Sequence, residues 1–323
     1  MGNVIKTESS FPSAGRYAAD KPWADIAVKT WADATNPPKA ILQLNHGMAE
    51  YIDRYDAFAR AVAEHGWLVV GMDFIGHGDS APEPDELGYT GVALLGRRNV
   101  FIEDMHTLRQ RTQAEHPELP YVMFAHSMGS FVLRAYLGLH GAGLAGAVIS
   151  GTGTMAPAMV GVAKALLAGI GLAHKPDYRS PFFSAMSVGV YNKPFEKTGA
   201  RTPCDWLSRD TEQVDKYVAD PRCGFLFTLA ADKLLIDSLD RAGAASTFNN
   251  TPKDVPLLMI SGGADPVGGM GKGVTQVADA YRKAGADVTL QLFEDARHEL
   301  LNELNRAEVT AGLIDWLDAR VSH

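Results

Sequence analysis

The sequence predicts an open α/β architecture, a mostly parallel central sheet with helices on both faces and one inserted helical segment. Three observations carry this. Short apolar runs alternate with longer stretches of helical periodicity, as a parallel sheet joined by crossover helices requires. The alternation stops between about 152 and 250 and then resumes. A serine with small residues two positions to either side stands where one of the strands should meet its helix.

Residues 1 to about 24 are polar and dotted with Ser, Gly and Pro, the composition of a leading loop. Residues 26–31 alternate in the manner of a strand, and the apolar run 40–44 reads as a buried strand ending at Asn45-His46-Gly47. Phe58 and Val62 mark one face of a helix closed by Gly66, after which 67–72 form another buried strand. Residues 101–115 have helical character, 121–125 are a strand, 129–139 a helix and 146–150 a strand. After the insertion come a strand at 255–261, a helix at 274–284, a strand at 288–293 and a helix at 309–317, with Val309, Leu313, Ile314 and Leu317 on one side. The expected division is therefore a core of 1–151 and 251–323 and an inserted helical cap of 152–250.

Bulk composition narrows the function. With 323 residues, 46% hydrophobic and 21% charged, the chain has the make-up of an ordinary globular protein with a sizeable core. The net charge of −8 and the absence of a Lys/Arg run argue against a nucleic-acid partner. The first residues lack the basic start and apolar stretch of a secretory signal, and Lys6 stands where myristoylation needs Ser or Thr, so a cytoplasmic location is expected. In such a compartment Cys204 and Cys223 are expected to stay reduced.

The chemistry centres on Ala125-His126-Ser127-Met128-Gly129. Between a strand and a helix, a G-x-S-x-G-like match is a nucleophile elbow: small neighbours let strand and helix approach, and the hydroxyl is pushed out over the sheet edge. Ala125 replaces the usual first glycine and adds only a methyl group. A serine hydroxyl is a weak nucleophile at neutral pH and needs a base and an acid from later in the chain. Asp265 follows the strand ending at Ser261, and His298 lies beyond the strand 288–293, in the order Ser, Asp, His that this arrangement uses. Asp295 is the alternative acid, but three residues from His298 it suits a turn better. An oxyanion needs two preorganised N–H donors, expected from Met128, just after the serine, and from Met48 in the turn made by Gly47. Gly76-His77-Gly78-Asp79-Ser80 lacks the spacing of a dinucleotide fingerprint and reads as a structural loop. His65, His77, His126 and His140 are not spaced as zinc ligands, so neither metal nor cofactor is expected.

With these motifs the chain resembles the monoacylglycerol lipase and lysophospholipase group of α/β hydrolases, also described as serine aminopeptidase-like, over nearly its whole length. His46-Gly47-Met48-Ala49-Glu50 with Arg54-Tyr55 is similar to that family's oxyanion-loop motif, and Asp73 with Gly76-His77-Gly78-Asp79-Ser80 to its next loop. Asp265-Pro266-Val267 and Arg297-His298-Glu299-Leu300-Leu301-Asn302-Glu303 resemble its acid and base motifs. The chain departs from the pattern at Ala125 and at Phe74-Ile75, where many members carry a more polar pair.

The resemblance implies an α/β-hydrolase fold whose insertion is a helical cap over the active site, and hydrolysis of a fatty-acyl ester such as a monoacylglycerol or lysophospholipid. A small-ester carboxylesterase, an N-terminal peptidase, an acyltransferase and a non-catalytic ligand-binding protein are the alternatives. Within the cap, 155–174 is almost wholly apolar apart from Lys164, yet Pro157 and several glycines make it a poor membrane span. Part of it is expected to line an acyl-chain channel, with Leu166 and Leu167 as candidates, and to touch lipid aggregates; packing within the cap is the competing expectation.

Overall fold

The computed structural model describes residues 3–15, 24–81, 83–90, 94–95, 98–196 and 199–321. Eight strands form one sheet: β1 (Val4–Pro12), β2 (Asp25–Asp33), β3 (Ala40–Asn45), β4 (Trp67–Met72), β5 (Tyr121–His126), β6 (Gly146–Ser150), β7 (Leu257–Gly262) and β8 (Val288–Phe293). Their spatial order is β1-β2-β4-β3-β5-β6-β7-β8. The β1–β2 and β2–β4 pairs are antiparallel and the remaining pairs parallel.

Strands β3 to β7 are fully buried and split their side chains by parity between two cores. Met123 and Ala125 of β5 face one core, Val122 and Phe124 the other. The first core is closed by α2 (Val100–Glu115), α3 (Met128–His140) and α10 (Lys272–Lys283); the second by α1 (Asp56–Glu64) and α11 (Arg306–Asp318). Val309, Leu313, Ile314 and Leu317 are the buried residues of α11, the stripe its periodicity marks.

Residues 4–12, expected to be loop, are instead an edge strand in register with β2 from Val4↔Asp33 to Pro12↔Asp25. An antiparallel edge strand is held by its backbone ladder and needs little apolar patterning. Most of β1 is accordingly exposed, with Phe11 the side chain it buries in the core. The rest of the expected loop lies largely outside the described residues.

Between β6 and β7 the described chain is helical, with α4 (Pro157–Ala173), α5 (Pro181–Ser187), α6 (Lys193–Glu196), α7 (Thr211–Ala219), α8 (Leu229–Gly243) and α9 (Ala245–Asn250). Helix α8 seats this insertion on the sheet, placing Ala231, Leu234 and Leu235 in the first core. Helix α4 packs across α8, and Val160 and Leu167 join Phe183, Leu229 and Ile236 in a small cluster of their own. Leu166 packs half-buried against the same cluster, so the two leucines are cap core rather than free surface. No helix among the described residues is long and apolar enough to cross a membrane.

Replacing Leu167 by Ala removes a side chain that is 1% exposed and should cost roughly 2–5 kcal/mol of cap stability, whereas Met159→Ala on the outer face should stay within about 0.5 kcal/mol. Thermal and urea unfolding followed by circular dichroism checks both.

Candidate active site

The loops after β3, β5, β7 and β8 all leave the sheet at its C-terminal edge, the crevice where open α/β sheets hold their ligands. Ser127 follows β5 directly, with φ 50° and ψ −120°. A residue carrying a Cβ adopts such angles only under constraint. Two contacts supply it. The Ser127 N–H donates to Ser150 O at 3.0 Å, and the Ser127 carbonyl accepts from the N–H of Ser130 at 2.9 Å and from its hydroxyl at 2.6 Å. Gly129 then passes so close to the loop after β3 that a Cβ there would lie 2.5 Å from His46 O. Ala125, where a glycine is usual, is wholly buried between Asn45 and Ile149 on the neighbouring strands, and its methyl group is absorbed by the core. Phe74 and Ile75, the other departures, are likewise buried apolar residues of the first core.

His298 and Asp265 come together as their order implies. Nδ1 of His298 lies 3.0 Å from Asp265 Oδ2, with both side chains almost completely buried. The carboxylate is itself oriented, Oδ1 accepting the Val267 N–H at 2.9 Å and Oδ2 facing the Ser261 hydroxyl at 3.4 Å. Nε2 of His298 is buried without a hydrogen-bond partner among the described residues. Burial by itself disfavours the imidazolium, but the Asp265 charge and hydrogen bond outweigh it and hold the His298 pKa above the usual histidine value. Ser127 and His298 flank one turn: Ser150 O receives the serine N–H, and a Cβ on Gly151 would lie 3.0 Å from Cε1 of His298. Asp295 sits in the turn after β8 with φ 58°, and it is Asp265 that reaches the imidazole.

Other imidazoles crowd the site. His126 stacks obliquely on His298 at 4.5 Å between ring centroids, and burial, reinforced by His298, lowers its pKa to about 3. His46 accepts the Phe74 N–H at Nε2 and shares Nδ1 with Gly47 O at 2.7 Å, and burial lowers it to about 3 as well. Both are neutral at physiological pH and act as packing.

On the other side of Ser127, a Cβ on Gly47 would lie 3.1 Å from the serine Cβ. Among the described residues, neither the Met48 N–H nor the Met128 N–H donates to a protein acceptor. Glu50 sets the turn, accepting the Gly47 N–H at 2.5 Å and the Tyr55 hydroxyl at 2.9 Å. Arg54 binds Glu50 and grips Glu299 in a two-pronged pair at 2.8 and 2.6 Å, with its guanidinium over the Tyr217 ring. Burial raises the Glu299 pKa and Arg54 more than reverses that, so the pair stays charged and ties the Gly47 turn to the residue next to His298. These residues are visible in the sequence as neighbours of the motifs, but nothing local reveals that they meet.

The inserted helices complete the enclosure. Trp206 places its ring 5.0 Å from that of His298, while the Gly224 N–H and the Tyr217 hydroxyl both donate to Ala49 O. Cys204 and Cys223 are free.

Comparison with known proteins identifies the family. Residues 36–305 match the serine aminopeptidase family, S33. A monoacylglycerol lipase of Mycolicibacterium smegmatis is 30% identical over the full length of both chains. A monoglyceride lipase of Rattus norvegicus is 27% identical, covering 88% of this chain and 83% of its own. Among solved structures, a highly thermostable carboxyl esterase from Bacillus coagulans, in complex with glycerol, superposes with a TM-score of 0.88 at 27% identity over 98% of this chain and 99% of its own. The family match spans most of the chain and the monoacylglycerol lipase likeness all of it, and the chain belongs to the serine aminopeptidase (S33) family of α/β hydrolases.

Proposed function

We propose that the protein hydrolyses carboxylic esters of fatty acids, of the monoacylglycerol or lysophospholipid type, through an acyl-enzyme on Ser127. The observation that carries this is the buried His298–Asp265 pair with Nε2 left free beside the strained Ser127 turn. His298 Nε2 takes the serine proton as Oγ attacks the ester carbonyl, and Asp265 holds the tautomer and stabilises the imidazolium. The N–H groups of Met48 and Met128 receive the oxyanion. Collapse expels the alcohol, protonated by His298; a water then repeats the sequence on the acyl-enzyme, releasing the fatty acid and regenerating Ser127. The division of the chain follows, with 1–151 and 251–323 as the hydrolase core and 152–250 as a cap over the site. Relatives named as glyceride lipases, and a structural neighbour holding glycerol, favour a glycerol ester over the peptidase and acyltransferase alternatives. The two free thiols suit a reducing, cytoplasmic setting.

The outer face of the cap suits lipid. Met159, Val162 and Leu172 of α4 and Phe182 and Met186 of α5 are all more than half exposed. A substrate that self-assembles is reached by laying such a face on the aggregate. Replacing Met159, Val162 and Phe182 together by Ser should weaken binding to vesicles containing monoacylglycerol and raise KM for long-chain monoacylglycerols, with a water-soluble short-chain ester turned over as before. Equal loss on both substrates would assign this face to cap folding.

Ser127→Ala should lower kcat by at least about 10³-fold while leaving the fold intact, and adding His298→Ala should cost little more, because residues of one catalytic unit are not additive. Steady-state kinetics on a chain-length series of p-nitrophenyl esters and monoacylglycerols checks this. A double variant far slower than either single one would contradict a shared unit.

The pH profile follows from the raised His298 pKa. Only the neutral imidazole is a base, so kcat/KM should fall as pH drops through a value above the ordinary histidine pKa of about 6.5. Asp265→Asn removes the charge that favours the imidazolium and should move this acid limb to lower pH, with a smaller rate loss than Ser127→Ala. An unmoved limb would detach Asp265 from the base.

A further inference from the structure

The loop carrying His298 is seated on the inserted helices as well as on the end of β7. Its backbone donates outward: the His298 N–H to Trp206 O at 3.5 Å and the Glu299 N–H to Leu207 O at 2.8 Å. Arg297 stacks its guanidinium over Phe195 and donates to Asp205 O at 2.5 Å and Ser208 O at 3.2 Å, so both residues flanking His298 are committed to the same strip of cap. The Ser208 hydroxyl donates in turn to Asn302 O at 2.8 Å.

Glu303 fastens the two segments. Its side chain is completely buried. Oε1 accepts the Arg297 N–H at 2.9 Å and the Arg209 N–H at 3.0 Å; Oε2 accepts Arg209 Nε at 2.9 Å and the Leu304 N–H at 2.9 Å. One carboxylate therefore holds both ends of the pairing, the cap at 209 and the loop at 297. The cap strip is braced from behind, since Asp205 accepts the Arg201 N–H and the Thr202 hydroxyl, each at 2.6 Å, and the Trp206 N–H donates to Asn192 Oδ1 at 3.1 Å. Arg209, 28% exposed, touches none of the reacting groups.

We propose that cap residues 205–209, locked to Arg297 by the buried Glu303–Arg209 pair, are a positioning element for His298, so that the geometry of the general base is set from the cap. This rests on His298 being the base. The alternative role for the same contacts is simply to hold the cap down. The two differ in what they move: a positioning element sets the rate of the chemical step at saturating substrate, whereas a tether sets substrate access and thermal stability. The other charged and titratable groups near the imidazole are Asp265 from the loop after β7, His126 from the end of β5, and Glu50, Arg54 and Glu299 around the Gly47 turn. Removing Arg209 alters none of their hydrogen bonds.

The test compares Arg209→Ala and Arg209→Lys with Arg179→Ala. Arg179 also braces the cap, donating to Leu226 O and Asp85 O. Steady-state kinetics on p-nitrophenyl acetate should show kcat lowered about tenfold in Arg209→Ala with KM within about twofold, and Lys should restore part of the rate. The downfield proton NMR resonance of the Nδ1–H shared with Asp265 should broaden or shift in Arg209→Ala and stay in place in Arg179→Ala. If Arg209→Ala fails to fold, Glu303→Gln is measured instead, with the same signature at about threefold. An unchanged kcat and resonance, whatever the melting temperature does, overturns the proposal, as does an identical response from Arg179→Ala. Substantial activity in His298→Ala would instead overturn the functional reading beneath it.

Discussion

Ser127 is held at φ 50° and ψ −120°, and everything around it serves to keep it there. A side chain in that region of conformational space costs on the order of 1–3 kcal/mol and persists only where the surroundings over-determine it. Here β5 lies in the middle of the sheet between β3 and β6, α3 starts immediately after the serine, and Gly129 lets the helix approach the carbonyls of Asn45 and His46 more closely than any side chain allows. The same approach brings the Gly47 turn against Ser127. Strain at one residue, close packing at the next glycine and the placement of two unpaired N–H groups are thus a single constraint.

Electrostatics then selects which of several imidazoles is free to act. At His46, His77 and His126 burial outweighs the pull of any neighbouring carboxylate, even Asp73 at 3.9 Å from His46, and their pKa values fall well below the physiological range. His298 is equally buried, but Asp265 turns the balance the other way. Desolvation dominates at the three and a single charge partner distinguishes the fourth, which is the ring suited to the base role proposed above although the site is crowded with rings. The buried Glu50–Arg54–Glu299 chain adds to the negative field there while tying the Gly47 turn to the His298 loop.

What was legible in the sequence follows from where the information sits. Strands buried on both faces announce themselves as unbroken apolar runs, and so 67–72 and 146–150 match β4 and β6 residue for residue; 288–293 matches β8 as well, although that edge strand is largely exposed. The sharp turn at Ser127 and the meeting of Asp265 with His298 were legible because each residue lies in a local motif just beyond a strand. Residues 4–12 were not, since an edge strand held by its ladder carries little apolar signal. For Leu166 and Leu167 the sequence leaves channel lining and cap packing both open, because in a helix apolar all round periodicity does not say which face is covered; α8 covers the one bearing Leu167. Glu303 and Arg209 lie 94 positions apart, and their pairing is a fact of tertiary structure that one chain read alone does not contain.

The most direct test of the account is active-site labelling. A fluorophosphonate should react with Ser127 in the folded protein and give one adduct, mapped by peptide mass spectrometry to the peptide bearing Ala125 to Gly129; labelling should be strongly slowed by His298→Ala and abolished by Ser127→Ala. An adduct on another serine, or labelling as fast without His298 as with it, would contradict the claim that this strained turn and its buried His–Asp pair form one reactive centre.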